Sequence, residues 1–106
     1  MSWLLLLAAG LLEIAWALCL KYSEGFTRLW PSLGTVAAMV ASLGLLGLAL
    51  RGLPLGTAYA AWTGIGTVGT ALLGLWLFGE PASLPRLLGI ALILAGVLLL
   101  KVATPG

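Results

Sequence analysis

The sequence predicts an all-α integral membrane protein with four transmembrane helices per subunit, and three observations support this fold class. Hydrophobic residues make up 62% of the 106 positions and charged residues only 8%, whereas soluble domains average about 45–50% and about 25%. Apolar stretches close to the roughly 20 residues that a spanning helix needs recur four times. Short polar segments separate these stretches. We therefore predict a single transmembrane domain over residues 1–106, with spans at about 3–20, 31–50, 55–78 and 84–101.

Polar and helix-breaking residues define the ends of each span. The first span ends at the polar run 21–25, and the second starts near Pro31, which is tolerated in a first helical turn. The third span lies between two breaks, 51–54 with the sequence RGLP and 79–81 with the sequence GEP. Lys101 closes the fourth span. Four spans in 106 residues leave no room for an extramembrane domain, so we expect the function to lie within the lipid bilayer.

The basic residues are divided almost evenly between the two sides of the membrane. Arg51 and Lys101 fall on the side of the termini, and Lys21, Arg28 and Arg86 fall on the other. The positive-inside rule sets orientation through an excess of such residues. The balance therefore permits insertion both ways up, and the alternative is that one loop dominates and fixes a single orientation. Four short helices barely enclose a polar cavity. An antiparallel homodimer would share the cavity and supply the inversion that many transporters obtain from internal repeats.

Several functional classes are disfavoured by composition. The chain has no histidine and a single cysteine, Cys19, which excludes an intrachain disulfide and argues against a zinc site or His-based acid–base catalysis. The net charge of +2 is too small and scattered to indicate nucleic acid as a partner. We therefore expect neither an enzyme nor a cofactor or metal site.

Glu13 is the one acidic residue within a predicted span. Glu24 and Glu80 fall in loops, where a solvated surface position is expected. An ionisable side chain at membrane depth is costly and usually marks a substrate or ion path. Glu13 lies about 12 Å along the helix axis from Lys21, at 1.5 Å per residue, so its side chain cannot reach that interface. A polar contact between helices is the simpler interpretation, but a substrate or proton site is favoured.

The charge of Glu13 limits the substrate class. The interiors of the spans offer no cationic partner for an anion, whereas a carboxylate attracts a cation, a proton, or each in turn. Mutual exclusion of proton and cation at one carboxyl group is sufficient to couple their flows in opposite directions. The sequence therefore favours proton-coupled transport of a cation.

Residues that could line the site share helical faces with Glu13 or lie on neighbouring spans. Gly10, Glu13 and Trp16 are spaced three apart and lie on one face, and the Trp16 indole N–H could donate a hydrogen bond to the carboxylate. The other candidates are Ser42 and Met39 on the second span, and Tyr59, Trp62 and Thr63 on the third.

Glycines recur within the third and fourth spans. Gly64 and Gly66 lie in the middle of the third span, where they permit either close helix packing or a bend that could serve as a hinge. Gly89 and Gly96 are seven residues apart on the fourth span, which carries no acid or aromatic residue. This span is interpreted as a packing or dimerisation helix.

Four segments together resemble the small multidrug resistance family of bacterial inner-membrane exporters, over essentially the whole chain. They are GLLEIAW around Glu13, the loop LKYSEGFTRLWPS, the segment GTAYAAWTGIG, and the glycines of the fourth span. The resemblance implies an antiparallel, dual-topology homodimer in which one glutamate from each subunit shares a site. It also implies exchange of protons for a cation by alternating access, with bending of the third helix.

Three residues resemble the guanidinium-exporting branch of that family rather than the branch that exports quaternary ammonium compounds: Trp16, Met39 and Lys101. The resemblance implies that Glu13 binds proton and substrate, and that Trp16, Ser42, Tyr59 and Trp62 line the site or hydrogen-bond within it. Planar guanidinium fits a carboxylate through paired N–H groups, as arginine does. A quaternary ammonium exporter, an oligomeric cation channel and a non-transporting membrane scaffold remain as alternatives.

Overall fold

Four α-helices account for most of residues 1–104, the part of the chain that the computed structural model describes. They are α1 (Ser2–Tyr22), α2 (Leu29–Ala49), α3 (Leu55–Leu77) and α4 (Leu84–Ala103). Each helix is long and apolar enough to cross a membrane. The predicted all-α class with four such helices is therefore confirmed, and the chain is a multi-pass membrane protein.

The connection between α1 and α2 is a tight turn built around Ser23. The Ser23 hydroxyl donates a hydrogen bond to the carbonyl oxygen of Leu20 (2.7 Å) and accepts one from the Phe26 N–H (3.1 Å). Glu24, Gly25 and Phe26 all have positive φ angles of 49° to 74°, which is uncommon for residues other than glycine. The hydroxyl group of the buried Ser23 therefore bonds one backbone group at the end of α1 and one beyond it, at the point where the chain reverses.

The connection between α3 and α4 begins with Gly79, whose φ of +62° ends the helix in a conformation that glycine adopts without strain. Pro81 follows, and Pro85 lies in the first turn of α4, where a missing N–H costs nothing because it has no intrahelical acceptor. This connection lies at the same end of the molecule as the α1–α2 turn, since the helices alternate in direction.

The helices form a flat array rather than a square bundle. The protein measures 40 × 34 × 16 Å, and a helix of about 22 residues is itself about 33 Å long, so the other large dimension is the breadth of the array. In the order of packing the helices are α2, α1, α3 and α4. A flat array leaves both of its faces uncovered.

The buried core lies toward the end of the array that carries Met1 and the α2–α3 connection. Its members come from all four helices and are mostly small, which lets the helices approach closely. They are Leu6, Ala9, Ala49, Leu53, Ala58, Ala61, Trp62 and Val97. Towards the opposite end, where α1 and α3 finish and α4 begins, the helices diverge around a cleft.

Helix α4 is the least enclosed element. Val97 is its only buried residue within the described chain, and it packs against Gly64, where an added methyl group would lie 2.5 Å from Val97 Cγ2. A methyl group on Gly89 or Gly96 would meet no atom of another helix within 4 Å in residues 1–104. Their predicted packing role is therefore not fulfilled within one protomer, and it stays a prediction that requires a partner.

Candidate functional site

A cleft of about 530 Å³ lies between α1 and α3 and opens toward the α3–α4 connection. Glu13 and Trp16 line it from α1, and Gly66, Thr67 and Thr70 line it from α3. Two of the sequence-predicted site residues, Glu13 and Trp16, therefore share one cavity. Because the cavity is open, its contents can be exchanged with the surroundings.

The Glu13 side chain lies directly against the backbone of α3. This approach is possible because Gly66 has no side chain: a Cβ there would lie 2.5 Å from Glu13 Cδ and 2.8 Å from Cγ, and closer still to the carboxylate oxygen Oε1. Gly66, predicted as a hinge or packing residue, therefore makes room for the carboxyl group. Any larger residue would compete with Glu13 for this space.

Three polar atoms of residues that line the cleft are buried and lack a hydrogen-bond partner within residues 1–104: Glu13 Oε1, Trp16 Nε1 and Arg86 Nε. The first is an acceptor and the second a donor, yet they do not bond to each other. The expected hydrogen bond from the Trp16 indole to the Glu13 carboxylate is thus not formed in this structure. A buried polar atom without a partner costs about 1–3 kcal/mol, so a ligand that satisfied the acceptor would stabilise the protein.

Ser42 and Trp62 form a buried chain of hydrogen bonds outside the Glu13 cleft. The Trp62 indole donates to the Ser42 hydroxyl (2.9 Å), which donates to the carbonyl oxygen of Ala9 (2.6 Å). Ala9 precedes Glu13 by one helical turn, and its carbonyl is also the one toward which the Glu13 N–H points in an α-helix. Ser42 and Trp62, predicted to line the site, therefore connect α2 and α3 to the backbone that carries Glu13.

Tyr59 and Thr63 line a second cleft, of about 540 Å³, beside α3 and α4. The Tyr59 side chain is half exposed, and its ring lies 5.6 Å from that of Trp62. Thr67 lines both clefts. Within one protomer the fold therefore does not bring Tyr59 and Thr63 to Glu13, and the two cavities meet only at Thr67.

Gly10 and Met39 line neither of these clefts. Gly10 is buried against α3, where an added Cβ would lie 2.5 Å from Ile65 Cγ2. It therefore allows α1 and α3 to pack closely instead of contacting a ligand. Met39 is partly buried on α2, on the far side of α1 from α3 in the order of packing.

Comparison with known proteins identifies the family. The family model for Small Multidrug Resistance protein matches residues 1–93. The chain belongs to this family. Its relatives include proteins named guanidinium exporter from Proteus vulgaris, 58% identical, and from Yersinia pestis, 60% identical. Each alignment spans 104 residues, 98% of this chain and 100% of the relative. A guanidinium exporter of Citrobacter freundii is 59% identical over 98% of this chain and 99% of its own length.

Two threonines of α3 line the Glu13 cleft of this small multidrug resistance protein, and the prediction from sequence did not include them. Thr63 was a candidate, but Thr67 and Thr70 line the Glu13 cleft and were not. The signal was available in the sequence, because positions 63, 67 and 70 are spaced by four and three and fall on one helical face. Hydroxyl groups on one face of an apolar span indicate a polar surface, whereas the glycines of the same span favoured a prediction of helix packing or bending.

Glu80 lies in the α3–α4 connection, as expected, and its partly exposed side chain also lines the cleft. It forms an ion pair with Arg86, and both residues line the cleft that contains Glu13. The Glu80 side chain is 39% exposed and that of Arg86 36%. The two residues are close in sequence, and whether they meet depends on how the α3–α4 connection folds back over the end of α3.

Proposed function

We propose that this protein exports guanidinium in exchange for protons, with Glu13 as the group that binds each in turn. One observation carries the proposal: a buried carboxylate oxygen of Glu13 lacks a partner in an open cleft. The relatives named guanidinium exporter are 58–60% identical over nearly the full chain, which supports the choice of cation.

Guanidinium suits the unsatisfied acceptor in the cleft better than a quaternary ammonium ion does. Guanidinium carries N–H donors in a plane and can bond a carboxylate through two of them. A quaternary ammonium ion has no N–H, so Glu13 Oε1 would stay without a donor and its desolvation would be offset by charge attraction alone. The bulk of Trp16 on the same wall of the cleft also favours the smaller cation.

Exchange follows from competition for one carboxyl group. A proton on Glu13 neutralises it and abolishes its attraction for guanidinium, and bound guanidinium stabilises the ionised form. A site that is open alternately to the two sides of the membrane therefore carries protons inward and guanidinium outward. Gly64 and Gly66, both buried in mid-helix, are the positions at which α3 could bend between the two states.

The functional unit in this proposal is an antiparallel homodimer in the bacterial inner membrane. The protomer is flat, 16 Å thick, and its Glu13 cleft is open. Exposed leucines on α4, among them Leu92 and Leu99, leave a face for a second copy. The nearly balanced basic residues permit both orientations. Two opposed Glu13 carboxylates would then share one site, and the dimer would open this site to each side of the membrane in turn.

Transport by reconstituted protein tests the role of Glu13. In proteoliposomes with a pH gradient, the wild-type protein should move guanidinium and an opposing proton flux should accompany it. Glu13→Gln should abolish both fluxes, since the amide binds neither cation nor proton. Glu24→Gln makes the same chemical change on an exposed loop residue and should transport normally. Guanidinium transport by Glu13→Gln at the wild-type rate would refute the proposal.

The same assay separates the alternative functions. Tetramethylammonium in place of guanidinium should give little flux, and faster flux with tetramethylammonium would indicate a quaternary ammonium exporter. Guanidinium flux without proton movement would indicate a channel. A membrane scaffold would give no flux with any cation.

Cysteine labelling tests the antiparallel arrangement. The single native thiol is removed as Cys19→Ala, and Ala82→Cys places a new one in the exposed α3–α4 connection. In intact cells, an impermeant maleimide should label part of the population from outside and the remainder only after the membrane is opened. Labelling of all molecules from one side, or none, would contradict dual topology.

A further inference from the structure

The mouth of the Glu13 cleft contains a carboxylate that already holds a guanidinium group, the side chain of Arg86 on Glu80. We propose that Glu80 is a second, outer binding site for guanidinium, at which the substrate replaces Arg86 before it reaches Glu13. This inference rests on the proposed function, because it concerns the route of the same substrate.

The fold fixes the position of Glu80 over the last turns of α3. The Glu80 N–H donates to the carbonyl oxygen of Gly74 (3.2 Å), and Gly74 lacks a Cβ, which would lie 2.5 Å from Glu80 Oε1. The carboxylate therefore lies flat against the helix at the cleft edge. Because the side chain is 39% exposed, it is accessible to solvent and to the cleft at once.

Arg86 acts as a tethered analogue of the substrate. Its Nη2 bonds Glu80 Oε1, in the one ion pair between side chains of residues 1–104, while its buried Nε has no partner there. The contact uses only part of the donor fork of the guanidinium group, whereas a free ion could turn to present two N–H groups to the same carboxylate. Glu80 can thus bind guanidinium, and Arg86 does not exhaust its capacity.

A second cationic side chain at the mouth lies over an aromatic ring. Lys21 Nζ lies 5.4 Å from the centre of the Phe78 ring, within the range of a cation–π interaction. Lys21, Phe78, Glu80 and Arg86 all line the Glu13 cleft. The mouth therefore presents a carboxylate and an aromatic face, each occupied by a cationic side chain that a mobile cation can replace.

The Arg86–Glu80 pair is weak enough to be exchanged during transport. Ion pairs between partly exposed side chains typically change an equilibrium constant only about 1.5- to 5-fold. An outer site of this strength raises the local concentration of guanidinium at the cleft without trapping it. Its loss should therefore affect transport at low substrate concentration and not the maximal rate.

The first test measures guanidinium transport against concentration in proteoliposomes. Glu80→Gln should raise KM about two- to fivefold and leave the maximal rate near that of the wild type. Glu24→Gln, which removes an equal charge from the other connection at this end, is the matched control and should leave KM unchanged. An unchanged KM in Glu80→Gln overturns the outer site. If Glu13→Gln still abolishes transport in that case, the proposed function stands without it.

The second test observes Arg86 directly and needs no Glu80 variant. In full-length protein with Glu13→Gln and ¹⁵N-labelled arginine, the Nε–H signal of Arg86 is identified by its loss in Arg86→Lys. Guanidinium chloride should shift this signal as Glu80 changes partner, whereas an equal concentration of tetramethylammonium chloride, which has charge but no N–H, should not. No shift, or equal shifts with both salts, would contradict the proposal.

Discussion

The space that Gly66 leaves for the Glu13 side chain leads to a specific prediction for Gly66→Ala. The new methyl group would lie 2.5 Å from Glu13 Cδ. Ordinary contact begins at 3.4 Å, so Glu13 Cδ must move by about 0.9 Å, and Oε1, which lies closer to the new methyl group, must move further. The Glu13 side chain ends in a cleft, and it can therefore swing away from α3 without disturbing the packing of the helices.

A displacement of this size is enough to spoil the binding of a cation by Glu13. Hydrogen bonds between nitrogen and oxygen span only about 2.7–3.2 Å, so a shift of about 0.9 Å breaks a bond or forces the ligand to move with the carboxylate. A hydrogen bond to a charged group contributes about 1.5–3 kcal/mol. The loss of one such bond corresponds to a roughly 10- to 100-fold decrease in guanidinium affinity.

The assay for Gly66→Ala is guanidinium transport in proteoliposomes at concentrations below KM, together with thermal unfolding in detergent. Gly47→Ala is the matched control, since a methyl group there meets no atom of another helix within 4 Å. Both substitutions gain helix propensity of up to about 1 kcal/mol. We expect Gly66→Ala to be as folded as the control but at least tenfold slower.

Two results would refute this reasoning. Equal transport by Gly66→Ala and Gly47→Ala would show that the position of the Glu13 carboxylate against α3 does not matter for binding. Loss of the folded protein in Gly66→Ala alone would show that the side chain cannot swing into the cleft, and that Gly66 serves helix packing instead.

Two further predictions concern packing. Ser42→Ala leaves the Trp62 N–H without its acceptor and should lower stability by about 0.5–2 kcal/mol, the range of hydrogen bonds between membrane helices. Ser32→Ala is the control, since the Ser32 hydroxyl bonds only to the Arg28 carbonyl oxygen one turn earlier and joins no two helices, and it should have a smaller effect. Equal melting temperatures would contradict the role of the hydrogen bond. Gly64→Ala places a methyl group 2.5 Å from the stiff side chain of Val97 and should lower the free energy of unfolding by about 1–3 kcal/mol. Val97→Ala in the same protein should restore part of that loss. No recovery of stability in thermal unfolding would contradict the contact.

The sequence was sufficient to predict the helices and the central carboxylate of this small multidrug resistance protein. Helix length and apolar content act locally, so each helix follows from its own residues and from breaks such as Gly79 and Pro54. Glu13 stood out for the same reason, as an acid among apolar neighbours. The shared cleft of Glu13 and Trp16 followed from their spacing on one helix.

Which faces of α2 and α3 meet that cleft could not be predicted. In a soluble protein the buried face of a helix is apolar and the outer face polar, whereas here both lipid and protein interior are apolar and the pattern carries no such contrast. Ser42 and Trp62 were therefore expected at the substrate, although their side chains connect α1, α2 and α3. Tyr59 and Thr63 were placed with Glu13, although within one protomer they line another cleft.

The amino-acid sequence thus establishes that the chain has four helices able to cross a membrane and that one of them carries an acid among apolar residues. Three contacts come from tertiary packing: Gly66 leaves space for the Glu13 carboxylate, Ser42 hydrogen-bonds the backbone one turn before Glu13, and Glu80 meets Arg86 at the mouth of the Glu13 cleft. The physical reason is that burial in lipid depends on each segment alone, whereas these contacts depend on how the helices rotate and approach one another. Small residues on neighbouring helices set the contacts of Gly66 and Ser42, whose partners Glu13 and Ala9 are distant along the chain. The Glu80–Arg86 contact depends instead on the fold of the α3–α4 connection.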